Sequence, residues 1–429
     1  MMLRQQWWRT RNDLRHIRRE YSRSIWALTG GMFVNTFGGS MVFPLFTLYF
    51  TQKFGISVAQ AGMLIVFFTV GGMIGGPVGG WLADRVGRKS VMIFSLVAEA
   101  TFSMGMALSP TLPLLILMII CFGLTVPMFW PASSATIADL VKPEKRAGAF
   151  GLIRVAANLG VAFGPLVAGV LLALQQQPDG ATPPNAYLPL FVMDAVTSLI
   201  FAFIIAWRLR ETKPQVIVRP VEETRPARGG GYGRVFRDSP FMIFVFLSGL
   251  VGVVYSQMNT TFGVYLTRVY DYPASAYTAM LSTNAAMVVL FQFALARRVD
   301  QQDRSRMLAL GAALYAIGFG MIGFASSLSL FWIAVVILTI GEMVIVPAAQ
   351  TVTADLAPID MRGRYQATFG LINNFFYGCG PVIGGYLFDI GHSQWIWLGS
   401  LILGLAIAFG FRAFGPQLRA REAAAAVQA

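Results

Sequence analysis

Four ionisable side chains stand where an apolar chain should not hold them. Glu99 lies in "SLVAEATFS", Arg154 in "GLIRVAANLG", Asp194 in "FVMDAVTS" and Glu342 in "TIGEMVIVP". Charges inside long apolar runs are costly, and they persist where they face a cavity, a partner or a moving ion. The chemistry such carboxyls offer is proton uptake and release. Glu342 is the first proton-coupling candidate, with Glu99 and Asp194 as further ones. It falls about 18 Å along its helix, where a bare carboxylate is disfavoured and a proton can bind. Arg154 follows Arg146 by roughly 12 Å of helix, so it either faces a cavity or returns its guanidinium to the interface.

Uncharged polar and aromatic residues in the same runs complete a candidate substrate cavity. They are Asn35; Phe129 and Trp130; Asn158; Tyr255, Gln257 and Asn259; Asn284 and Gln292; and Asn373, Asn374 and Tyr377. Each alone also fits an interhelical hydrogen bond or a packing contact. Together with the 20 Met residues they describe an aromatic, weakly charged surface for variable amphipathic ligands.

No enzyme constellation accompanies them. His16 and His392 are far apart and flank no carboxylate cluster, and Cys121 and Cys379 each fall inside an apolar run. No metal-ligand spacing and no GxxxxGK[ST] loop occurs. No metal and no cofactor is expected, and a proton gradient is the expected energy source.

The elements that position these residues follow from composition. The chain has 429 residues, 56% of them hydrophobic and 12% charged, and mean hydropathy is +0.62. A soluble core cannot use that much apolar surface, so an integral membrane protein is expected. A spanning helix needs about 20 apolar residues. Roughly twelve runs of that kind occur, near 24–50, 59–82, 90–109, 113–138, 147–174, 187–207, 240–267, 275–296, 306–326, 330–354, 363–388 and 395–414.

Net charge is +13, and its placement argues for topology rather than for a nucleic-acid surface. Arg4, Arg9, Arg11, Arg15, Arg18, Arg19 and Arg23 precede the first run, and basic residues follow the second, fourth, sixth, eighth and tenth. The alternate connections hold little beyond Lys53 and Arg268. This bias predicts that both termini are cytoplasmic. The start has no signal-peptide pattern, and with Trp7 and Trp8 it can lie on an anionic lipid surface.

The chain also repeats itself. "PASSATIADLVKPEKR" (Pro131–Arg146) matches "PAAQTVTADLAPIDMR" (Pro347–Arg362) without a gap. The same constant offset, Pro131 onto Pro347, carries Asn158 onto Asn374, Gly164-Pro165 onto Gly380-Pro381, Asp84 onto Asp300 and Arg88 onto Arg304. A duplication with six spans per half follows. The organisation is a basic segment 1–23, a six-helix half 24–207, a Pro- and Gly-rich cytoplasmic linker 208–239, a second half 240–414 and a tail 415–429.

The charged loop "GGWLADRVGRKS" (Gly79–Ser90) resembles the loop signature of the major facilitator superfamily, with Gly80, Leu82, Asp84, Arg85, Gly87 and Arg88 in place. The resemblance implies a cytoplasmic clasp, in which Asp84 caps the next helix or meets an Arg. Asp139, Arg146, Asp355 and Arg362 join it, with Asp300 and Arg304 from a second copy that lacks the Gly pair. "GLIRVAANLGVAFGPLVAG" is similar to the fifth-helix signature of drug/proton antiporters, through Gly151, Gly160, Gly164, Pro165 and Gly169. Ala168 stands where that pattern has Gly. Gly160, Gly164 and Ala168 share one helix face, which predicts close helix approach. The Arg these antiporters often carry in the fourth helix is missing here, and Arg154 is the substitute on offer.

The resemblance implies an all-α integral membrane fold of twelve transmembrane helices in two pseudo-symmetric six-helix halves. It places the third and sixth helices, with Glu99 and Asp194, outside the central bundle. It further implies a monomeric secondary transporter in a bacterial cytoplasmic membrane, exporting lipophilic or cationic drug-like compounds in exchange for protons. A dedicated carrier of one metabolite, organic anion or lipid-linked molecule is the alternative.

Overall fold

In a computed structural model the described residues are 21–177, 182–212, 232–299, 301–358 and 361–428. Helices dominate and no strand occurs among them. In chain order they are α1 Arg23–Val42, α2 Phe46–Phe54, α3 Val58–Arg85, α4 Arg88–Leu108, α5 Leu112–Thr125, α6 Phe129–Leu140, α7 Pro143–Ala173 and α8 Leu188–Arg208. There follow α9 Tyr232–Arg237, α10 Ser239–Asn259, α11 Thr261–Val269, α12 Ala274–Val299, α13 Arg304–Phe324, α14 Leu328–Leu356, α15 Arg362–Asp389 and α16 Ser393–Gln428.

Eleven helical stretches among the described residues are long and apolar enough to cross a membrane. The remaining expected span, α15, is 28 residues long and more polar because it carries Asn373, Asn374, Tyr365 and Tyr377. The protein is a multi-pass membrane protein, in which helices satisfy their own backbone groups in lipid.

Several runs expected as single helices are broken. The first is interrupted by a 3-10 turn at Phe43–Leu45, where Pro44 has no N–H to donate. The fourth breaks at Val126–Met128 for the same reason at Pro127. The seventh breaks at Thr260, which holds the place of Pro44 in the second copy of the repeat. The Pro- and Gly-rich linker holds the short α9 near its end, while residues 213–231 lie outside the described set. The last helix runs through Gly415-Pro416 to Gln428 rather than stopping at 414.

Packing groups the residues into two units. Of the described residues, the first comprises 21–40, 71–164 and 190–212, and the second 41–70, 165–177, 182–189, 232–299, 301–358 and 361–428. In the first, Gly160 and Gly164 of α7 press on α1. A Cβ on Gly160 would stand 2.8 Å from the Phe33 carbonyl oxygen, and one on Gly164 would stand 2.6 Å from that of Phe37. Thr36 Oγ1 donates to the Ala157 carbonyl at 3.2 Å and Ser40 Oγ to that of Gly160 at 3.2 Å. The close approach predicted for this face is present at Gly160 and Gly164. In the second unit, the Asp389 carboxylate closes the start of α3, accepting from Val58 N at 2.9 Å and Ala59 N at 2.8 Å. These are free N–H groups of a helix N-terminus, which favour an anion.

Candidate functional site

The second unit encloses a cavity of about 270 Å³. Its walls come from four helices. α14 contributes Glu342, Ile345, Val346, Ala349 and Gln350; α10 contributes Ser248, Val251, Gly252 and Tyr255. α15 adds Phe369, Asn373, Asn374 and Tyr377, and α13 adds Tyr315. The α14 positions recur at three and four residues, so one helix face supplies them all. Gly341 lets α13 come close, since a Cβ there would stand 2.9 Å from the Gly311 carbonyl oxygen. That approach delivers Tyr315 to the site.

Glu342 is half-buried. Its Oε2 accepts from Asn284 Nδ2 at 2.9 Å and its Oε1 from Tyr255 Oη at 3.2 Å. Asn284 Nδ2 also reaches Thr339 Oγ1 at 2.9 Å. Tyr255 stacks on Tyr315 with ring centres 5.8 Å apart and lies 6.5 Å from the ring of Tyr377. Asn259 Nδ2 donates to Tyr377 Oη at 3.4 Å. No basic side chain pairs with Glu342 among the described residues. The carboxyl is held by neutral donors on an aromatic wall, so it can exchange a proton or receive a cation without first breaking an ion pair.

A second carboxyl cluster lies in the first unit. Glu99 on α4 and Asp194 on α8 are 8% and 2% exposed. Asn35 Nδ2 donates to Glu99 Oε2 at 3.1 Å and to Ser198 Oγ at 3.0 Å. Ser103 Oγ donates to Asp194 Oδ2 at 2.5 Å. The two carboxyls that sequence alone treats as separate candidates form one cluster, and Asn35 belongs to it.

Other candidates take structural places. Gln257 is 3% exposed and ties α10 to α15 through the Gly380 carbonyl at 2.8 Å. Gln292 donates to the Met343 carbonyl at 3.1 Å. Phe129 is 5% exposed and packs on Phe201. The sequence places all three on the cavity wall, but Gln257 and Phe129 are buried in helix contacts and Gln292, half-buried, is tied to the α14 backbone. Trp130 and Arg154 are exposed and Asn158 is half-buried. Tyr315, Ser248, Gln350 and Phe369 line the cavity although sequence reasoning does not single them out. For Tyr315 a signal exists, since it holds the place of Glu99 in the second copy of the repeat.

The clasp residues also rearrange. Arg88 pairs with Asp139, and Arg304 with Asp355. These two pairs are related by the repeat. Arg88 also donates to the Ala135 carbonyl at 3.0 Å, and Arg146 Nε to that of Ala138 at 3.1 Å. Asp84 is exposed and does not cap α4. Glu211 does so, accepting from Arg88 N at 2.8 Å and Lys89 N at 3.3 Å. Gly87, with φ +127°, makes the turn that admits it, a conformation side chains resist. Arg85 stacks on Trp81 instead, 4.3 Å from its ring. Asp300 and the Arg362 side chain lie outside the described residues.

A repeated helical bundle with a carboxyl-bearing aromatic cavity defines a membrane transporter fold. The family model of the Major Facilitator Superfamily matches residues 28–302 and 274–427, and the chain belongs to that family. It is 30% identical over 376 residues to the uncharacterized MFS-type transporter YttB of Bacillus subtilis, covering 86% of this chain and 89% of the relative. It is 25% identical to a Na(+), Li(+), K(+)/H(+) antiporter of Planococcus maritimus, over 82% and 87% of the two chains. Identity to the multidrug resistance protein MdtH of Escherichia coli is 27%, over 90% and 92%. Among solved structures, a POT family transporter in complex with 5-aminolevulinic acid superposes with a TM-score of 0.76 at 13% identity, over 92% and 96% of the two chains.

Proposed function

We propose that the protein is a secondary active exporter that exchanges lipophilic or cationic drug-like compounds for protons. The observation that carries this reading is Glu342. It sits on the wall of an aromatic cavity, held by Tyr255 and Asn284 and without a basic partner among the described residues. A cationic substrate binds the charged carboxyl, and a proton binds the same group and displaces it. Mutually exclusive occupancy of one site gives exchange when the two halves alternate access around it. That one relative is a multidrug resistance protein and another a cation/proton antiporter supports the same direction of transport. The cavity residues Tyr255, Tyr315 and Tyr377 supply faces on which a cation rests. The basic loops are assigned to the cytoplasmic side of a bacterial inner membrane, with both termini there, and the working unit is a monomer.

The test is efflux from proteoliposomes under an imposed pH gradient, across chemically diverse compounds. Gradient-driven efflux of several unrelated cations is expected. Transport of one anionic or neutral metabolite alone would replace this reading with that of a dedicated carrier.

A further inference from the structure

The Glu99–Asp194 cluster plays no part in the exchange just described. Asn35 and Ser198 donate to Glu99, Asn35 to its Oε2, and Ser103 donates to Asp194 Oδ2. Glu99 Oε1 and Asp194 Oδ1 both lie near Gly39 of α1. A Cβ on Gly39 would stand 3.6 Å from Asp194 Oδ1 and 3.9 Å from Glu99 Oε1. Asp194 Oδ1 is buried and accepts no hydrogen bond. A buried acceptor left without a donor is costly. A proton shared with the neighbouring Glu99 carboxyl would supply that donor.

We infer that Glu99 and Asp194 form a second proton site, which holds one proton between its two carboxyls and lies apart from the substrate cavity.

Among the described residues, the charged groups on the surrounding helices lie elsewhere. On α4, Arg88 and Lys89 sit about 16 Å of helix away from Glu99. They are occupied at the loop, by Asp139 and by the Ala206 carbonyl. On α8, Arg208 is about 21 Å from Asp194 and stacks on Trp207. α1 carries only Arg23, at its far start. α5 offers Cys121 as its one titratable side chain. α7, packed on α1, carries Arg154, which is exposed while the pair is not. Two ionised carboxylates in such a place repel each other, so they bind a proton or a cation. The shell decides between these. Asn35 turns its amide N–H groups inward and Ser103 donates its hydroxyl, whereas a cation requires a cage of acceptor oxygens.

The site also has a route to the moving parts. Asn35 is next to Thr36, whose hydroxyl bonds the α7 backbone at Ala157. A role in the transport cycle rests on the proton coupling proposed above, but occupancy by a proton does not.

Infrared difference spectroscopy of the purified full chain separates the two. In the Glu342→Gln protein, a deuterium-sensitive C=O band of a protonated carboxyl is expected at neutral pH. It should disappear when Glu99→Gln and Asp194→Asn are added together. If the double variant does not give a monodisperse protein, Asp194→Asn alone must shift the band. Absence of the band in Glu342→Gln, its persistence unshifted in the pair variants, or its replacement by carboxylate bands on adding Na⁺ or K⁺ at fixed pH would overturn the inference. In voltage-clamped proteoliposomes the pair variants should lose about tenfold of the static accumulation ratio per pH unit of gradient. An unchanged ratio would contradict the second coupled proton.

Discussion

The two copies of the repeat agree where they pack and at their loop ion pairs, and differ in the carboxyls inside their spans. Gly164 meets Ser40 and the Phe37 carbonyl; at the matching place in the second copy, Gly380 meets Ser256 and the Val253 carbonyl. Even an exchange of sizes is conserved in sense. Gly160 faces the backbone at Phe33, while their counterparts Phe376 and Gly249 face each other with the large residue on the other helix. Arg88–Asp139 and Arg304–Asp355 are the same ion pair twice. The carboxyls do not follow this pattern. Glu99 beneath Gly39 in the first copy becomes Tyr315 stacked on Tyr255 in the second. Glu342 in turn replaces a position that is Val126 in the first copy. The shared features build the scaffold, and the unshared ones give each copy its own chemistry: a closed carboxyl pair in one and an aromatic-walled, half-buried carboxyl in the other.

The ion pairs offer the largest expected break in that symmetry. The Arg88 side chain is 9% exposed and that of Arg304 32%. Arg88→Ala removes a buried guanidinium that bonds both the exposed Asp139 carboxylate and the Ala135 carbonyl, and should cost about 2–3 kcal/mol. Arg304→Ala should cost about 1 kcal/mol or less. Thermal unfolding of the two variants in one detergent checks this, and equal losses would remove the distinction.

Next come the glycines. Gly164→Leu and Gly380→Leu each overpack a helix contact and should cost about 1–3 kcal/mol. Gly380→Leu should be the worse, because Gln257 Nε2 also bonds the Gly380 carbonyl at 2.8 Å. Melting temperatures in the reverse order would show that the packing is not equivalent in the two copies.

A smaller effect is expected at Asp389, which has no carboxyl counterpart in the first copy, where Ala173 holds its place. Asp389→Ala removes both acceptors from the start of α3 and should cost about 1 kcal/mol. A cysteine placed at Ala59 should then label faster in that variant. Unchanged labelling would reduce the cap to a surface contact.

The smallest is a pH effect confined to the second copy. Arg421 donates to both oxygens of Asp238 at 2.5 and 2.6 Å, and Tyr365 Oη to Oδ2 at 2.6 Å. Burial alone would raise the Asp238 pKa, but hydrogen bonds from Arg421 and Tyr365, the Arg421 charge and the Phe241 N–H together hold it below the ordinary carboxylate range. A depressed folded value stabilises above the unfolded pKa of about 3.9, and that stability is lost as pH falls through the folded value. Wild type should therefore lose melting temperature below about pH 4 more steeply than Asp238→Asn. Parallel curves would dismiss the contact.

Much of this is readable from sequence because it depends on periodicity and repetition. Apolar runs locate the helices, and the constant offset of the repeat pairs Gly164 with Gly380 and Arg88 with Arg304. Glu342 is readable from depth alone. What depends on tertiary approach is not. Thr260 carries no mark of the break that Pro44 advertises. Gln257 looks like a cavity residue until α15 is seen to take its amide. Glu211 reaches the α4 N-terminus from beyond α8, which no local pattern announces, so sequence favours the shorter route from Asp84. Tyr315 reaches the cavity only because Gly341 and Gly311 let two helices close together.

In the proposed exchange a proton and a cationic substrate compete for Glu342. Equilibrium binding of a permanently charged lipophilic cation to the purified protein, measured against pH, tests it most directly. Wild-type affinity should rise with pH, by up to about tenfold per unit across the Glu342 titration, and Glu342→Gln should bind weakly with no such slope. A Gln variant that keeps the wild-type pH dependence would contradict the account and place the competing proton elsewhere.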